Sequence, residues 1–279
     1  LASDLDIKLH NNTQCYVLPC IAGHVGADTA GMISSEAPHH REDITLLVDI
    51  GTNAEIVLGN NERLLAASSP TGPAFEGAQL SSGQRATAGA IERVRIDRET
   101  LEARFQVIGS DLWSNEPGFA KDTKGIGITG ICGSGIIEVI AEMYLSGVLN
   151  QDGVINGNLA NKYKHIVADG RTFSYILFNG QNKIQVTQND IRAVQLAKAA
   201  LYAGIRLLME RMGIETVDRI RLAGAFGSHI DVKYAMALGL IPDCDLKHVS
   251  SAGNAAGTGA RITLLNFEAR KEIEEVVRR

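Results

Sequence analysis

Cysteine is scarce in this chain, and the few cysteines present are not arranged to hold a metal. The four of them, Cys15, Cys20, Cys132 and Cys244, are scattered along 279 residues and form no CxxC pair. Zinc sites and iron-sulfur clusters held by cysteine need ligands at close, characteristic spacings. The pattern therefore disfavours both kinds of site within this chain alone, and we expect the four cysteines to be buried thiols.

Long hydrophobic runs and concentrated basic stretches are also missing. The longest apolar segment, Ala193 to Met209, is interrupted by Lys198 and Arg206, and the N-terminus shows no basic region followed by an apolar block. These features predict neither a membrane span nor a signal peptide, so we expect a cytoplasmic location. The formal net charge of -5 and the pI near 5.8 argue against a nucleic-acid or anionic-membrane partner.

Common nucleotide-binding and nucleophile motifs are absent or incomplete. No GxxxxGK[ST] sequence occurs, which excludes a P-loop of the usual kind. Residues 125–130 match GxGxxG, but the acid that a dinucleotide site needs roughly 20 residues further on is missing. Ser134 is preceded two positions earlier by Cys132 instead of the glycine of a nucleophile elbow. We therefore predict that the glycines of 125–130 serve close packing between strand and helix.

The sequence does contain a short β-hairpin that presents a carboxylate. Residues 46–59 read LLVDIGTNAEIVLG, in which an apolar run carries Asp49 near its end and a strand pattern resumes after a turn. Gly51 permits a tight backbone turn, and Thr52 and Asn53 supply a hydroxyl, an amide and N–H groups that suit a phosphate or its metal. An ordinary hairpin turn of the same composition is the alternative.

The rest of the chain predicts strands and helices in an order typical of α/β proteins. Strands are predicted at 63–68, 91–97, 103–109, 174–178, 183–186, 219–223 and 247–251, and helices at 136–149, 187–212, 231–238 and after 252–260. The Gly/Ser-rich segment 68–90 has little apolar periodicity, so it is predicted to be a functional or disordered loop. Two strands, 219–223 and 247–251, run through small residues into helices, which places N–H groups at a sheet edge where anions bind.

The first forty residues show no persistent period before a Gly- and Ala-rich helix that begins near Cys20. Asp28 is the only acid in this helix, and from the pattern alone it is interpreted as a helix-start carboxylate. Residues 34–43 are polar and are predicted to form a surface connection. The His39-His40 pair in this connection is interpreted as solvated and not as a metal site.

The element order and three short motifs indicate a superfamily. The predicted order is three strands followed by helix, strand, helix, strand and helix. This is the ribonuclease H-like order of the actin, sugar-kinase and chaperone ATPases. Residues 49–52 (DIGT) resemble the second phosphate-binding turn of that superfamily, 222–227 (LAGAFG) its adenosine turn, and 253–259 (GNAAGTG) the helix start that closes its cleft. More closely, the segments AGHVGADT, LLVDIGTNAEIVLGN, TGPAFEGAQLSSGQRATAGAIE and LAGAFGSHIDVKYAMALGLIP resemble the C-terminal ATPase domain of reductive activators of corrinoid proteins.

This resemblance covers nearly the whole chain and implies its fold and organisation. The implied fold is α/β and ribonuclease H-like, with a mixed five-stranded sheet, helices on both faces and inserted segments. Residues 1–40 would be the end of the first ATPase lobe and the connecting helix, and residues 41–279 the second lobe, with an insertion around 70–187. Only one Asp-Ile-Gly-Thr turn is present where two phosphate turns are expected, so we expect a fragment that is inactive alone.

The resemblance also implies an activity. Members of the family use ATP to drive reduction of cob(II)alamin to cob(I)alamin on corrinoid proteins or corrinoid-dependent methyltransferases. The implied cofactors are ATP and Mg²⁺, with a 2Fe-2S cluster expected only in an N-terminal domain outside this chain. A homodimer is a further expectation, and neither nucleic acid nor a membrane is expected as a partner.

The residue roles follow from the same resemblance, motif by motif. Asp28 and Asp49 are expected to be the catalytic residues and to hold Mg²⁺ through water. The expected cofactor-binding residues are Gly51, Thr52 and Asn53 at the phosphate, Gly224, Ala225, Phe226 and Gly227 at the base and ribose, and Gly253 and Asn254 where the cleft closes.

Two other functions remain open on the sequence. A sugar or acyl kinase of the same superfamily would use the same turns to transfer phosphate to a small acceptor, although the activator-like loop 68–90 argues against it. A non-catalytic partner-binding module, in which the turns are only packing elements, is the second alternative.

Overall fold

The computed structural model describes residues 1–180 and 182–278, apart from the side chains of Ala225 and Ser228. In chain order its strands are β1 (Thr45–Ile50), β2 (Ala54–Gly59), β3 (Leu64–Ser69), β4 (Ala90–Ile96), β5 (Ala103–Val107), β6 (Gly130–Ile131), β7 (Ile166–Asp169), β8 (Thr172–Asn179), β9 (Lys183–Thr187), β10 (Arg219–Ala223) and β11 (Val249–Gly253). Its α-helices are α1 (Ala27–Glu36), α2 (Phe119–Asp122), α3 (Gly133–Leu145), α4 (Gln188–Met212), α5 (Gly224–His229), α6 (Val232–Ala237), α7 (Ala255–Leu265) and α8 (Phe267–Arg278).

Five strands form the central sheet, in the spatial order β11-β10-β1-β2-β3. The strands β1, β2 and β3 are an antiparallel meander, whereas β10 and β11 run parallel to β1. The turn at residues 51–53 joins β1 to β2, and the resulting register places Asp49 opposite Glu55. The predicted mixed five-stranded sheet is confirmed.

The two faces of this sheet bury different sets of side chains, because successive residues of a strand point to opposite faces. On one face Leu46 joins the main core, which also contains apolar residues of α3 and α4. On the other face Leu47 and Val57 join Ala30 of α1 and Ile273 of α8 in a smaller core. Helices therefore cover both faces, as predicted.

The helices α1 and α7 approach each other at a contact that glycine makes possible. A Cβ on Gly259 of α7 would lie 1.8 Å from the carbonyl oxygen of Gly31 in α1. A Cβ on Gly31 would in turn lie 2.8 Å from the carbonyl oxygen of Ala256. The two backbones can come this close because neither residue has a side chain. The contact fixes α1, with Asp28 in its first turn, to the helix that follows β11.

The segment between β3 and α4 forms two small sheets and α3. The sheets have the strand orders β5-β4-β6 and β7-β8-β9. Glu138 of α3 is fully buried and accepts hydrogen bonds from Nη1 of Arg93 at 2.7 Å and Nη1 of Arg95 at 2.6 Å, which attaches the helix to β4. These elements occupy the segment for which we predict an insertion, and the division of the chain into lobes stays a prediction.

The long helix α4 begins and ends as its sequence predicts. Oγ1 of Thr187 accepts a hydrogen bond from the amide of Asp190, whose carboxylate accepts one from the amide of Thr187, so the two residues form a capping box. Gly213 ends the helix at a φ of +69°. In the described part of the chain, no helix has both the length and the apolar character needed to cross a bilayer.

Some element boundaries differ from those predicted. The strand β7 is not among the predicted strands, because only four residues form it and two of them are exposed, which leaves no apolar alternation to detect. The predicted C-terminal helix is two helices, α7 and α8. They are separated at Asn266, which leaves the helical conformation and accepts a hydrogen bond on Oδ1 from the amide of Glu268.

Of two predictions about residue environment, one is wrong and the other holds only in part. Cys20 is exposed and only Cys132 is buried, so the cysteines are not all buried thiols. Within the GxGxxG segment, a Cβ on Gly125 would meet nothing within 4 Å, so close packing does not explain this glycine. Gly130 of the segment does make a close approach, since a Cβ there would lie 2.8 Å from the carbonyl oxygen of Ser82. A second one occurs at the start of α3, where a Cβ on Gly133 would lie 2.0 Å from the carbonyl oxygen of Phe75.

Candidate functional site

The candidate site lies at the edge of the central sheet where its three parallel strands end. Asp49 is near the carboxyl end of β1, Gly224 follows β10, and Gly253 ends β11. Parallel strands that run side by side bring their carboxyl ends to one edge, and ligands of open α/β sheets bind there. The topology therefore brings together three motifs that lie up to two hundred residues apart in the sequence.

Asp49 and Gly224 are in direct contact at this edge. Gly224 has a φ of +80°, and a Cβ at this position would lie 2.2 Å from Oδ1 of Asp49. The glycine therefore provides both the backbone conformation and the space that the carboxylate occupies. We expect Gly224 at a base or ribose from the resemblance; the structure shows in addition that it positions Asp49.

Asp49 is one of three carboxylates that are coupled through their charges. Burial raises the pKa of Asp49, and the negative charge of Asp28 raises it further. The pKa of Glu55 is also raised, first by burial and then by the charge of Asp28, while a hydrogen bond donated by Oγ of Ser68 at 3.3 Å opposes the rise. The structure thus brings the two predicted acids, Asp28 and Asp49, into one electrostatic cluster.

Glu55 is a member of this cluster that is not among the predicted site residues. The signal for it is the hairpin itself: Asp49 and Glu55 lie at equal distances from Thr52, so a tight turn places them opposite each other. Residues that face each other in an antiparallel pair project to the same side of the sheet. The register of the hairpin could therefore have predicted the third acid.

The carboxylate cluster is suited to a hydrated cation. Carboxylate oxygens are the ligands that Mg²⁺ and Ca²⁺ prefer. In the described part of the chain, oxygen atoms of Asp28, Asp49 and Glu55 do not all come within 4.8 Å of one another. An ion that keeps several of its waters could be held by all three residues, and Mg²⁺ has this property.

The turn between β1 and β2 is held in place by a neighbouring loop. Oγ1 of Thr71 donates to the carbonyl oxygens of Gly51 at 2.8 Å and Thr52 at 3.1 Å. Oγ1 of Thr52 donates to Oε1 of Glu76 at 3.0 Å. In the described part of the chain the amides of Thr52 and Asn53 have no acceptor, which leaves two N–H groups for an anion.

A cleft of about 660 Å³ opens beside Asp49 and is large enough for a small-molecule ligand. Its lining includes Asp49, Gly51, Phe75, Glu76, Arg85, Ser134, Phe226 and His229. The rings of Phe75 and Phe226 are stacked, with centroids 5.7 Å apart, and form an apolar part of its wall. The guanidinium of Arg85 belongs to this lining and can pair with a ligand anion. Arg85, Glu76 and His229 are not among the predicted site residues.

Other predicted residues lie outside the lining of this cleft. Asn53 faces a separate groove that Cys20 and His24 also line. A Cβ on Gly227 would lie 3.0 Å from the backbone of Leu222, so this glycine allows α5 to pack on β10. Gly253 ends β11, and Oδ1 of Asn254 accepts a hydrogen bond from the amide of Gly257 and caps α7. The side chain of Ala225 is outside the described residues.

The comparisons with known proteins identify the family. The family model described as the C-terminal domain of RACo, the ASKHA domain, matches residues 43–279. The chain belongs to this family. The resemblance found in the sequence is therefore confirmed, as is the ribonuclease H-like ATPase fold.

Relatives of this ASKHA domain are named for corrinoid activation. The chain is 38% identical over 264 residues to the corrinoid activation enzyme RamQ of Eubacterium limosum, a match that covers 90% of this chain and 41% of that protein. It is 27% identical over 280 residues to the [Co(II) methylated amine-specific corrinoid protein] reductase of Methanosarcina barkeri, covering 98% of this chain and 48% of that one.

A solved structure has the same fold. The chain matches the structure of a reductive activator for corrinoid, iron-sulfur protein with a TM-score of 0.83 and 33% sequence identity. This match covers 99% of the present chain and 42% of the other. The chain thus spans less than half the length of each of these three proteins.

Proposed function

We propose that this chain is the ATPase domain of an enzyme that reductively activates corrinoid proteins. In this proposal ATP drives reduction of cob(II)alamin to cob(I)alamin on a corrinoid protein or corrinoid-dependent methyltransferase. The electrons come from a 2Fe-2S cluster elsewhere in the full-length protein. The names of the relatives support the corrinoid partner, and membership of the ASKHA family supports a nucleotide-binding role.

The observation that carries the ATP part of the proposal is the carboxylate cluster at the sheet edge. Burial and then the charge of Asp28 raise the pKa of both Asp49 and Glu55, and the charge of Asp49 raises that of Glu55 further, so the cluster stores electrostatic repulsion in the absence of a cation. Mg²⁺ would relieve this repulsion and would supply the charge that neutralises a bound triphosphate. In the proposed site Asp28 and Asp49 hold the ion through water, and Glu55 contributes charge.

Residues of the cleft and of the turn beside it suit the other parts of a nucleotide. The two amides of the turn at Thr52 and Asn53 and the cation of Arg85 are donors for phosphate oxygens. Phe226, stacked on Phe75, gives an apolar wall for a base. The hydroxyl of Thr52 donates a hydrogen bond to Glu76. It can donate to a phosphate only after that hydrogen bond breaks.

The energy of ATP binding must reach the corrinoid partner through a change of shape. A ligand shifts a conformational equilibrium only by the difference in its affinity for the two states. We propose that residues 1–40 are the end of a first lobe and the connecting helix, and 41–279 a second lobe that closes on the nucleotide. The connecting helix α1 carries Asp28 and packs closely against α7 at Gly31 and Gly259. Closure would therefore move α1 together with the second lobe.

The proposal is tested with the full-length protein and its corrinoid partner. Cob(II)alamin reduction is followed by visible absorption under anaerobic conditions with an electron donor, with and without Mg-ATP, while phosphate release is measured in parallel. We expect ATP-dependent reduction and a rate of ATP hydrolysis that rises with the partner. Phosphate transfer to a sugar or acyl acceptor, with no effect of ATP on the corrinoid, would identify a kinase instead. Light scattering on the same sample tests the expected homodimer.

A further inference from the structure

Two histidines and a glutamate meet outside the Asp49 cleft. His39 and His40 belong to the short 3-10 helix Pro38–His40 that follows α1, and Glu272 lies on α8. Nε2 of His39 lies 3.1 Å and Nε2 of His40 lies 2.5 Å from the same oxygen, Oε1 of Glu272. The interpretation of the histidines as a solvated pair is wrong for His39, whose side chain is only 13% exposed.

We propose that His39, His40 and Glu272 form a binding site for a zinc-class divalent cation. Their three ligand atoms lie within 4.8 Å of one another, and the described residues contain no other group of histidine, cysteine and acidic side chains with this property. Imidazole nitrogen and carboxylate oxygen are ligands that Zn²⁺ takes in proteins, and two histidines with one glutamate is a known ligand set. The site is independent of the nucleotide cleft, because it shares no residue with the lining of that cleft.

The geometry is close to what a tetrahedral ion requires. Zinc–nitrogen and zinc–oxygen bonds of about 2.0 to 2.2 Å at tetrahedral angles separate neighbouring ligand atoms by about 3.3 to 3.4 Å. His39 is therefore within a few tenths of an ångström of its position. His40 must withdraw by about 0.9 Å, and its side chain, which is 60% exposed, is free to rotate. The three residues line an open groove, so water can take the fourth position.

One feature of the cluster limits the expected affinity. Nδ1 of His39 is buried and has no hydrogen-bond partner among the described residues. When Nε2 binds a metal, the ring proton must be on Nδ1, and ligating histidines normally donate that proton to a carboxylate, a carbonyl oxygen or water. We therefore expect micromolar and not nanomolar affinity for Zn²⁺. The bound ion would fasten the connection between α1 and β1 to α8.

The test uses metal-free protein prepared with a chelator. Titration with ZnCl₂ is followed by calorimetry, and titration with CoCl₂ by visible absorption, because cobalt in a site of low coordination number absorbs strongly. We expect one Zn²⁺ per chain and a thermal midpoint that rises with zinc. His40→Ala is the first variant, since an exposed ring can be removed without disturbing the core, and Glu272→Gln is the second. Each should weaken zinc binding at least about tenfold.

The control variant is His248→Ala, because His248 is exposed and belongs neither to the cluster nor to the groove beside it. It should bind zinc as the unaltered protein does. Absence of zinc binding at micromolar to submillimolar concentration would overturn the proposal, as would equal binding by His40→Ala and His248→Ala in folded samples. Neither result would bear on the proposed ATP-dependent activity, because the experiments that test that activity change other residues.

Discussion

The backbone of Gly224 lies directly against the carboxylate of Asp49. A Cβ at Gly224 would lie 2.2 Å from Oδ1 and 3.2 Å from Cγ of the acid. The positive φ of +80° at Gly224 turns the chain from β10 into α5 at this point. The start of α5 thus determines the position of the Asp49 carboxylate on β1.

This contact predicts that Gly224→Ala impairs the enzyme far more than it impairs folding. The added methyl group must push the Asp49 carboxylate aside, and a displacement of about 1 Å in a catalytic group can cost about 100-fold in rate. We expect ATP hydrolysis by the full-length protein to fall at least about tenfold. The positive φ itself should cost about 1 kcal/mol of stability.

Gly213→Ala is the matched control for that variant. Gly213 has a φ of +69°, and a Cβ there would meet nothing within 4 Å. The control therefore carries a similar backbone strain without a clash. If the two alanine variants lose the same stability and only Gly224→Ala loses activity, the contact with Asp49 is responsible; equal activity in both would refute its role.

The raised pKa of Asp49 predicts how Asp49→Asn changes stability with pH. A folded-state pKa above the ordinary value of 3.8 means that protonation favours the folded state, so stability present at low pH is lost as the pH rises through the folded-state pKa. The asparagine variant carries no such charge. Without Mg²⁺ we expect it to melt above the unaltered protein at pH 7, with the difference shrinking as the pH falls towards 3.8.

Thermal melts in a chelating buffer over a range of pH check this prediction. If Asp49 were only a residue that caps the hairpin turn, its loss would lower the thermal midpoint at pH 7. A lower midpoint for Asp49→Asn at that pH therefore contradicts the electrostatic account of the cluster.

Glu55 is predicted to act on the affinity for Mg²⁺. Its charge adds to those of Asp28 and Asp49, and a unit charge several ångströms away in a partly solvated site contributes about 1 kcal/mol to cation binding. We expect Glu55→Gln to raise the Mg²⁺ concentration for half-maximal ATP hydrolysis about fivefold, with a smaller effect at saturating Mg²⁺. Glu62→Gln, at an exposed turn of the same sheet, serves as the control. Identical Mg²⁺ curves for the two variants would exclude Glu55 from the site.

The contact between α1 and α7 is predicted to matter for both stability and activity. A Cβ on Gly259 would lie 1.8 Å from the carbonyl oxygen of Gly31, so Gly259→Ala must separate the helices. Overpacking of this kind costs about 1 to 3 kcal/mol, and the shift of α1 should displace Asp28. Chemical denaturation and ATP hydrolysis measure the two effects. Ala260→Ser adds an atom at the next, exposed position and should change neither.

Much of the fold follows from local patterns in the sequence. Residue chemistry determines local structure at three kinds of feature: the hairpin of β1 and β2, the capping box at Thr187, and the turns after β10 and β11. The short strand β7 and the break between α7 and α8 do not, since four residues show no period and a single asparagine is compatible with a helix. Local propensity is a weak guide where tertiary contacts decide.

The site was accessible to sequence reasoning only in part. Asp28 and Asp49 belong to recognisable motifs, and Glu55 could be derived from the hairpin register. Arg85, by contrast, lies in a loop without periodicity, and only the packed structure places its cation in the cleft. The contact between His40 and Glu272 joins residues 232 positions apart, and no local pattern predicts such a pair.

The most direct test of the central claim is ATP-dependent reduction of a corrinoid partner by the full-length protein carrying Asp49→Asn. Asp111→Asn, at an exposed position outside the cleft lining, is measured beside it. We predict that the unaltered protein and the Asp111 variant form cob(I)alamin only when ATP is present. The rate for Asp49→Asn should be at least about tenfold lower, equivalent to roughly 1.4 kcal/mol in the barrier. A normal rate for folded Asp49→Asn, or reduction by the unaltered protein that does not depend on ATP, would contradict the account.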